Sequence, residues 1–214
     1  MDVSPAFRKV DREDIVLIRY QHVNCHMILD VKMKGFCCKA MLLAGAHTTY
    51  PPDTITYAIV VSSDTVRILL TLDSLNDFPV KVENIQNAHI TAPVTEKIWA
   101  LSLVKIVVGA LYGLKSAGAA FWSHLVGFLH HLGLLPCPAD LYIWMNLMVR
   151  SDYRFNYYAY SLIYVNDVMV IYHDAERLIR RIDKSFKLKS SLISDSDIYL
   201  GAKLNKFRLE NGVW

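Results

Sequence analysis

The run YSLIYVNDVMVIY, residues 160–172, is apolar on both sides of an adjacent amide and carboxylate, Asn166 and Asp167. Two apolar strands joined across such a pair form a tight hairpin, because Asn and Asp tolerate the left-handed backbone of a short bend. A second reading of the same residues is chemical. A strand tip that presents carboxylates is a site for a hard divalent cation, which prefers oxygen ligands and needs negative charge to hold phosphates nearby.

The segments around this hairpin alternate strand and helix signals. LYIWMNLMV at 141–149 is strand material, broken from YYAYSLIYV by RSDYRFN. Asp174 is placed to cap AERLIRRIDKSF, whose apolar stripe is Leu178, Ile179, Ile182 and Phe186 and whose opposite surface carries Arg177, Arg181 and Lys184. Upstream, FPVKVENIQNAHI reads as a strand with Val80, Val82 and Asn84 on one face and Lys81 and Glu83 on the other. Ser63 caps a helix with Val66, Leu69, Leu70 and Leu75 at helical spacing, ending before Pro79. AAFWSHLVGFLHHLG places Phe121, Leu125, Phe128 and Leu132 on one helical side, with Gly133 and Pro136 marking its end. CHMILDV and GFCCKAMLLAGAH are further strands, and YLGAKL at 199–204 is strand-like. From residue 80 onward the order fits an antiparallel sheet with helices on one side, an α+β class.

The 214 residues suffice for a sizeable core, and a formal charge of +3 is too small to specify a nucleic-acid partner. Local charge says more. Between Arg177 and Lys189 six basic residues face the single acid Asp183. Four cysteines without a secretory leader point to reduced thiols and an intracellular setting, cytoplasmic or nuclear. Cys25, His26, Cys37, Cys38 and His47 fit no paired zinc-ligand spacing. The uncharged stretch from Ser116 to Ala139 contains Ser123, His124, His130 and His131, which suits a buried helix better than a membrane span. No membrane partner is expected. The aromatics Tyr153, Phe155, Tyr157, Tyr158 and Tyr160 are read as cross-strand packing in preference to a base-stacking platform.

Three blocks taken together carry a family resemblance: VENIQNAHITAP at 82–93, ALYGLKSAGAAFW at 110–122 and YVND at 164–167. In that order and spacing they resemble the reverse transcriptase domain of copia-type retrotransposons, with its Asp-led first block, its "KALYGLKQAPRAW" and its "YVDD". CCKAMLLAGAHTT, SSDTVRILL, CPADLYIW and YLGAKL extend the likeness over about residues 28–210. The resemblance implies polymerase fingers over 1–78 and palm over 79–214, the palm a ferredoxin-like antiparallel sheet packed by helices, with the thumb absent or incomplete. It also implies templated DNA synthesis on an RNA template and DNA primer, with magnesium ions that activate the primer hydroxyl and stabilise the departing pyrophosphate.

Carried over residue by residue, the family's three metal-binding aspartates fall on Asn84, Asn166 and Asp167, so Asp167 alone keeps a carboxylate. An amide offers one neutral oxygen where a carboxylate offers two and a charge, so magnesium binding is expected to be weak or absent and the polymerase inactive. On the nucleotide side the resemblance implies Lys39, His89, Tyr112 and Lys115, with His89 at the aromatic position that discriminates against ribose. Met41 stands for an expected Arg, and Ser116, Gly118 and Ala119 replace Gln, Pro and Arg. Arg177, Arg181 and Lys184 are the expected nucleic-acid-binding face. Two other readings stand beside an inactive remnant: an active RNA-directed DNA polymerase that tolerates YVND, and a non-catalytic nucleic-acid-binding or interaction protein derived from a retrotransposon.

Overall fold

The structure, a computed structural model, describes residues 6–10, 19–32, 36–52, 56, 61–150, 155–189, 198–199 and 202–204. The fold is mixed α+β with several sheets, and the chain divides into two compact units. One comprises residues 59–86 and 126–214 together with Met1, the other residues 2–58 and 87–125.

The second unit contains a four-stranded sheet and a hairpin. The sheet has β1 (Phe7–Lys9), β2 (Gln21–Val23), β6 (Pro93–Ala100) and β7 (Lys105–Gly109) in the order β1-β7-β6-β2, with β2 parallel to β6 and the other pairs antiparallel. The hairpin pairs β3 (Cys25–Lys32) with β4 (Cys37–Ala44). Residues 11–18, which include the start of VLIRY, lie outside the described residues. β4 ends where the backbone N–H of Ala44 donates to the carbonyl of Tyr112 at 2.8 Å. Gly113 is required next to that contact: its φ is +92°, and a Cβ there would meet the Ala44 carbonyl oxygen at 2.3 Å.

The first unit is built on a five-stranded antiparallel sheet. β5 (Val80–Asn84), β8 (Leu135–Cys137), β9 (Asp140–Arg150), β10 (Phe155–Tyr164) and β11 (Asp167–Ile171) run in the order β5-β11-β10-β9-β8. Leu162, Ile163, Val168, Met169, Val170 and Ile171 are at most 1% exposed, so the central strands are apolar on both faces because both are covered. Burial of each such side chain contributes roughly 1.5–3 kcal/mol. β8 pairs β9 only from Asp140 to Met145, and no described strand lies beside Asn146 to Val149 on that side. β12 (Ile198–Tyr199) and β13 (Ala202–Lys203) split the YLGAKL segment into two short antiparallel strands.

Helix α1 (Ser63–Asn76) is capped one residue earlier than its pattern suggests: Ser62 Oγ accepts from the Thr65 N–H at 3.1 Å. The Thr65 hydroxyl in turn donates to Asp140 of β9. α2 (Ala117–His131) buries Phe121, Leu125 and Leu129, while Phe128 is half-buried and meets Phe186 edge-on at 5.1 Å. α3 (Ala175–Asp183) is capped by Asp174, whose carboxylate accepts from the Arg177 N–H at 3.3 Å, and lays Leu178, Ile179 and Ile182 against the sheet at β5 and β11. Among the described residues no helix is long and apolar enough to cross a membrane, and no disulfide joins the four cysteines. Tyr157 packs on Phe78 and hydrogen-bonds His173, and Tyr158 lies 6.3 Å from Tyr160, while Tyr153 is outside the described residues.

The β10–β11 hairpin differs by one residue from the expected bend. Tyr164 pairs with Asp167, so the two-residue loop is Val165 and Asn166, and Asp167 is the first residue of β11. Val165 takes the positive φ, +55°, where a β-branched residue is disfavoured. The register of the buried strands decides the loop, against the local preference that would put Asn there. Val165→Gly is therefore expected to raise the urea unfolding midpoint, by an amount equivalent to roughly 0.5–1 kcal/mol after the entropy of glycine is subtracted. The same change at buried Val168 is expected to lower it by roughly 2 kcal/mol or more. A fall in the midpoint for Val165→Gly contradicts the strained loop.

Candidate functional site

β5 and β11 are neighbours in the sheet, and their register sets Asn84 directly opposite Asp167. In a strand alternate residues share a face, so Asn84 lies on the face of Val82 and Met169 while Glu83 lies on the other face beside Val168. Glu83 is 5% exposed on that opposite face, so it does not join Asp167. The loop residue Asn166 completes the cluster. The Asn84 side-chain N–H donates to Asp167 Oδ1, and Asn166 Nδ2 donates to Asn84 Oδ1 at 3.1 Å and to the Ile85 carbonyl at 3.4 Å.

Backbone contacts hold this arrangement from both sides. The Ile85 N–H donates to the Asn166 carbonyl at 2.8 Å, and residues 187–189 clasp the end of β5 through Gln86 N–H to Lys187 O at 2.7 Å and Lys189 N–H to Asn84 O at 2.9 Å. Amides explain why the three side chains sit so close. An amide can donate to a carboxylate and accept from another amide, so the chain Asn166 to Asn84 to Asp167 is satisfied without a cation. Three carboxylates in these places would be acceptor-only and mutually repulsive unless metal lay between them.

That donor set does not suit a pair of magnesium ions. One carboxylate and two amide oxygens are present, already engaged with one another, and among the described residues no group of three or more His, Cys, Asp or Glu side chains is placed to hold a metal. Tyr199 is a further member that the sequence blocks contain but do not single out. Its phenol is buried without a hydrogen-bond partner among the described residues, and burial first, then the charges of Asp167 and Tyr164, push its pKa above the ordinary tyrosine range. It remains a neutral phenol.

The four residues expected on the nucleotide side, Lys39, His89, Tyr112 and Lys115, belong to the other unit. His89 sits in a 3-10 turn, Ala88–Thr91, with its ring 4.6 Å from that of Tyr112 and 5.9 Å from that of Phe121. Its Nδ1 is buried with no hydrogen-bond partner among the described residues, and burial lowers the imidazole pKa. Burial also raises the Tyr112 phenol. Lys115 donates to the Thr49 carbonyl, and Lys39 is exposed on β4 opposite Asp30. His89 and Tyr112 are thus in ring contact, while Lys39 stands on the separate β3–β4 hairpin. Arg177, Arg181 and Lys184 are all exposed, on or just after α3.

Two outcomes test this geometry. Asn84→Asp with Asn166→Asp is expected to lower the thermal midpoint by an amount equivalent to about 2 kcal/mol or more in the absence of metal, and millimolar magnesium is expected to restore part of it. An unchanged midpoint would show that the three side chains are not in contact. The second concerns His89. Because its folded pKa lies below the ordinary value of about 6.5, the fold keeps its full stability above that pH and loses some as pH falls toward the folded value. His89→Phe removes both this term and the orphaned nitrogen. It is expected to raise stability by roughly 1 kcal/mol at neutral pH and to flatten thermal midpoints measured between about pH 5 and 7. A steeper acid limb in the variant contradicts the assignment. No family model matches the chain, and no curated protein is found similar to it.

Proposed function

We propose that the chain is a reverse-transcriptase-like unit of the copia type, with the palm's metal site converted from carboxylates to a self-satisfied amide cluster and polymerase chemistry absent. The observation that carries this reading is the meeting of Asn84, Asn166 and Asp167. They are 82 and 83 residues apart in the chain, are picked out by two separate sequence blocks, and form one hydrogen-bonded group at the tip of adjacent antiparallel strands. A hairpin bend alone accounts for Asn166 and Asp167, but not for the amide of a distant strand at the matching position of the first block.

The chemical deficit follows from charge. Phosphoryl transfer needs preorganised positive charge over the phosphates, which two dications supply only when the protein neutralises and holds them. With two of three carboxylates replaced, Asp167 contributes the one negative charge. No step through magnesium is assigned to this chain.

On poly-rA primed with oligo-dT, with magnesium or manganese, the native chain is expected to extend the primer no faster than an Asp167→Asn control. Restoring aspartate at both 84 and 166 is expected to recover activity if the remaining machinery is intact, and either reversion alone to recover little, since the carboxylates act together. Extension by the unaltered chain clearly above the control overturns the inactive reading and favours a working YVND polymerase.

A further inference from the structure

The sheet unit contains a cavity of about 110 Å³ under α3, away from the amide cluster. Its floor is apolar: Leu132 and Leu134 follow α2, Met148 comes from β9, and Leu178 comes from α3 itself. Its rim is cationic. Arg177 and Arg181 line it from one side of α3, four residues and about one helical turn apart. Asn146 and Tyr172 add an amide and a phenol.

No ion pair neutralises the cations of this rim among the described residues. Glu176 is taken by Arg180 and the Asp174 carboxylate accepts the Arg177 backbone N–H, and among the described residues neither Arg177 nor Arg181 forms an ion pair. Like charges at i and i+4 oppose each other on a helix, although the helix dipole favours Arg181 in the last turn of α3. The pKa of the buried Tyr172 phenol is raised by burial and then by Asp174, with Arg177 and Arg181 acting in the opposite sense, which places both guanidiniums within electrostatic reach of the cavity wall.

We infer that this cavity is a binding site for a small amphipathic carboxylate, an acid with one ring-sized apolar group on the leucine floor and its carboxylate between Arg177 and Arg181. The cavity is smaller than the closed apolar cavity of about 150 Å³ that takes up benzene, but it is partly open, so one ring is the largest apolar group it can take. Guanidinium suits the head group, because its planar fork matches a carboxylate in two parallel hydrogen bonds. This assignment is independent of the polymerase reading.

The test is a titration of the full chain with 4-methylbenzoate, its neutral analogue 4-methylbenzamide and inorganic phosphate, followed by NMR chemical shifts and calorimetry. Saturable binding of the benzoate is expected, with the amide roughly tenfold weaker or more, and phosphate a poor competitor because it has no group for the floor. Arg177→Gln with Arg181→Gln is expected to abolish the preference for the acid, and Arg180→Gln to leave it unchanged. Equal binding of acid and amide, displacement by phosphate alone, or no saturation at millimolar ligand overturns the proposal. So does binding unaltered in the double variant. Should that variant fail to fold, the comparison of the three ligands on the native chain decides by itself.

Discussion

Five residue pairs between β5 and β11, from Val80 opposite Ile171 to Asn84 opposite Asp167, are the contact on which the sheet unit depends. They tie segments more than eighty residues apart in the chain, so the loop-closure entropy of that pairing must be overcome by buried apolar surface. Val82, Val168, Met169 and Val170 supply that surface. A slip of one residue would turn Val82 out and bring Glu83 to the tip, and the burial of Val82 opposes it. The identity of the polar group at the strand tip is therefore set by hydrophobic packing two residues away.

The amide cluster and the fold are compatible in a way that three carboxylates would not be. Asparagine both donates and accepts, and the side chains at 84, 166 and 167 use this to close on one another while the backbone of residues 187–189 closes over the strand end. A cluster with this composition lacks the repulsion that makes a centre of three carboxylates depend on metal ions. It also holds a single negative charge.

Much of the sheet unit was legible because its strands and helices are long enough to show a period. The apolar stripe of α3, the faces of β5 and the pair of strands around YVND follow directly from alternation and helical spacing. The hairpin bend fell one residue early because the pairing of Tyr164 with Asp167 forces Val165, not Asn166, into the left-handed conformation. The four-stranded sheet was not legible. β1 and β2 are three residues each, too short to carry a pattern, and β6 is joined to β7 by a short 3-10 turn, Leu101–Leu103, of sequence LSL. At the candidate site, two block matches and strand parity led to Asn84, Asn166 and Asp167, while Tyr199 gave no sign of its own because a lone tyrosine in a short strand reads as packing.

The side of β9 from Asn146 to Val149, where no described strand pairs, has a consequence for the protein as a material. The residues there are uncharged, Leu147 and Val149 are exposed, and no lysine or proline lies within that span to discourage another strand. Such an edge recruits a further strand as readily from a neighbouring molecule as from its own chain. Association through this stretch is a property that grows with protein concentration.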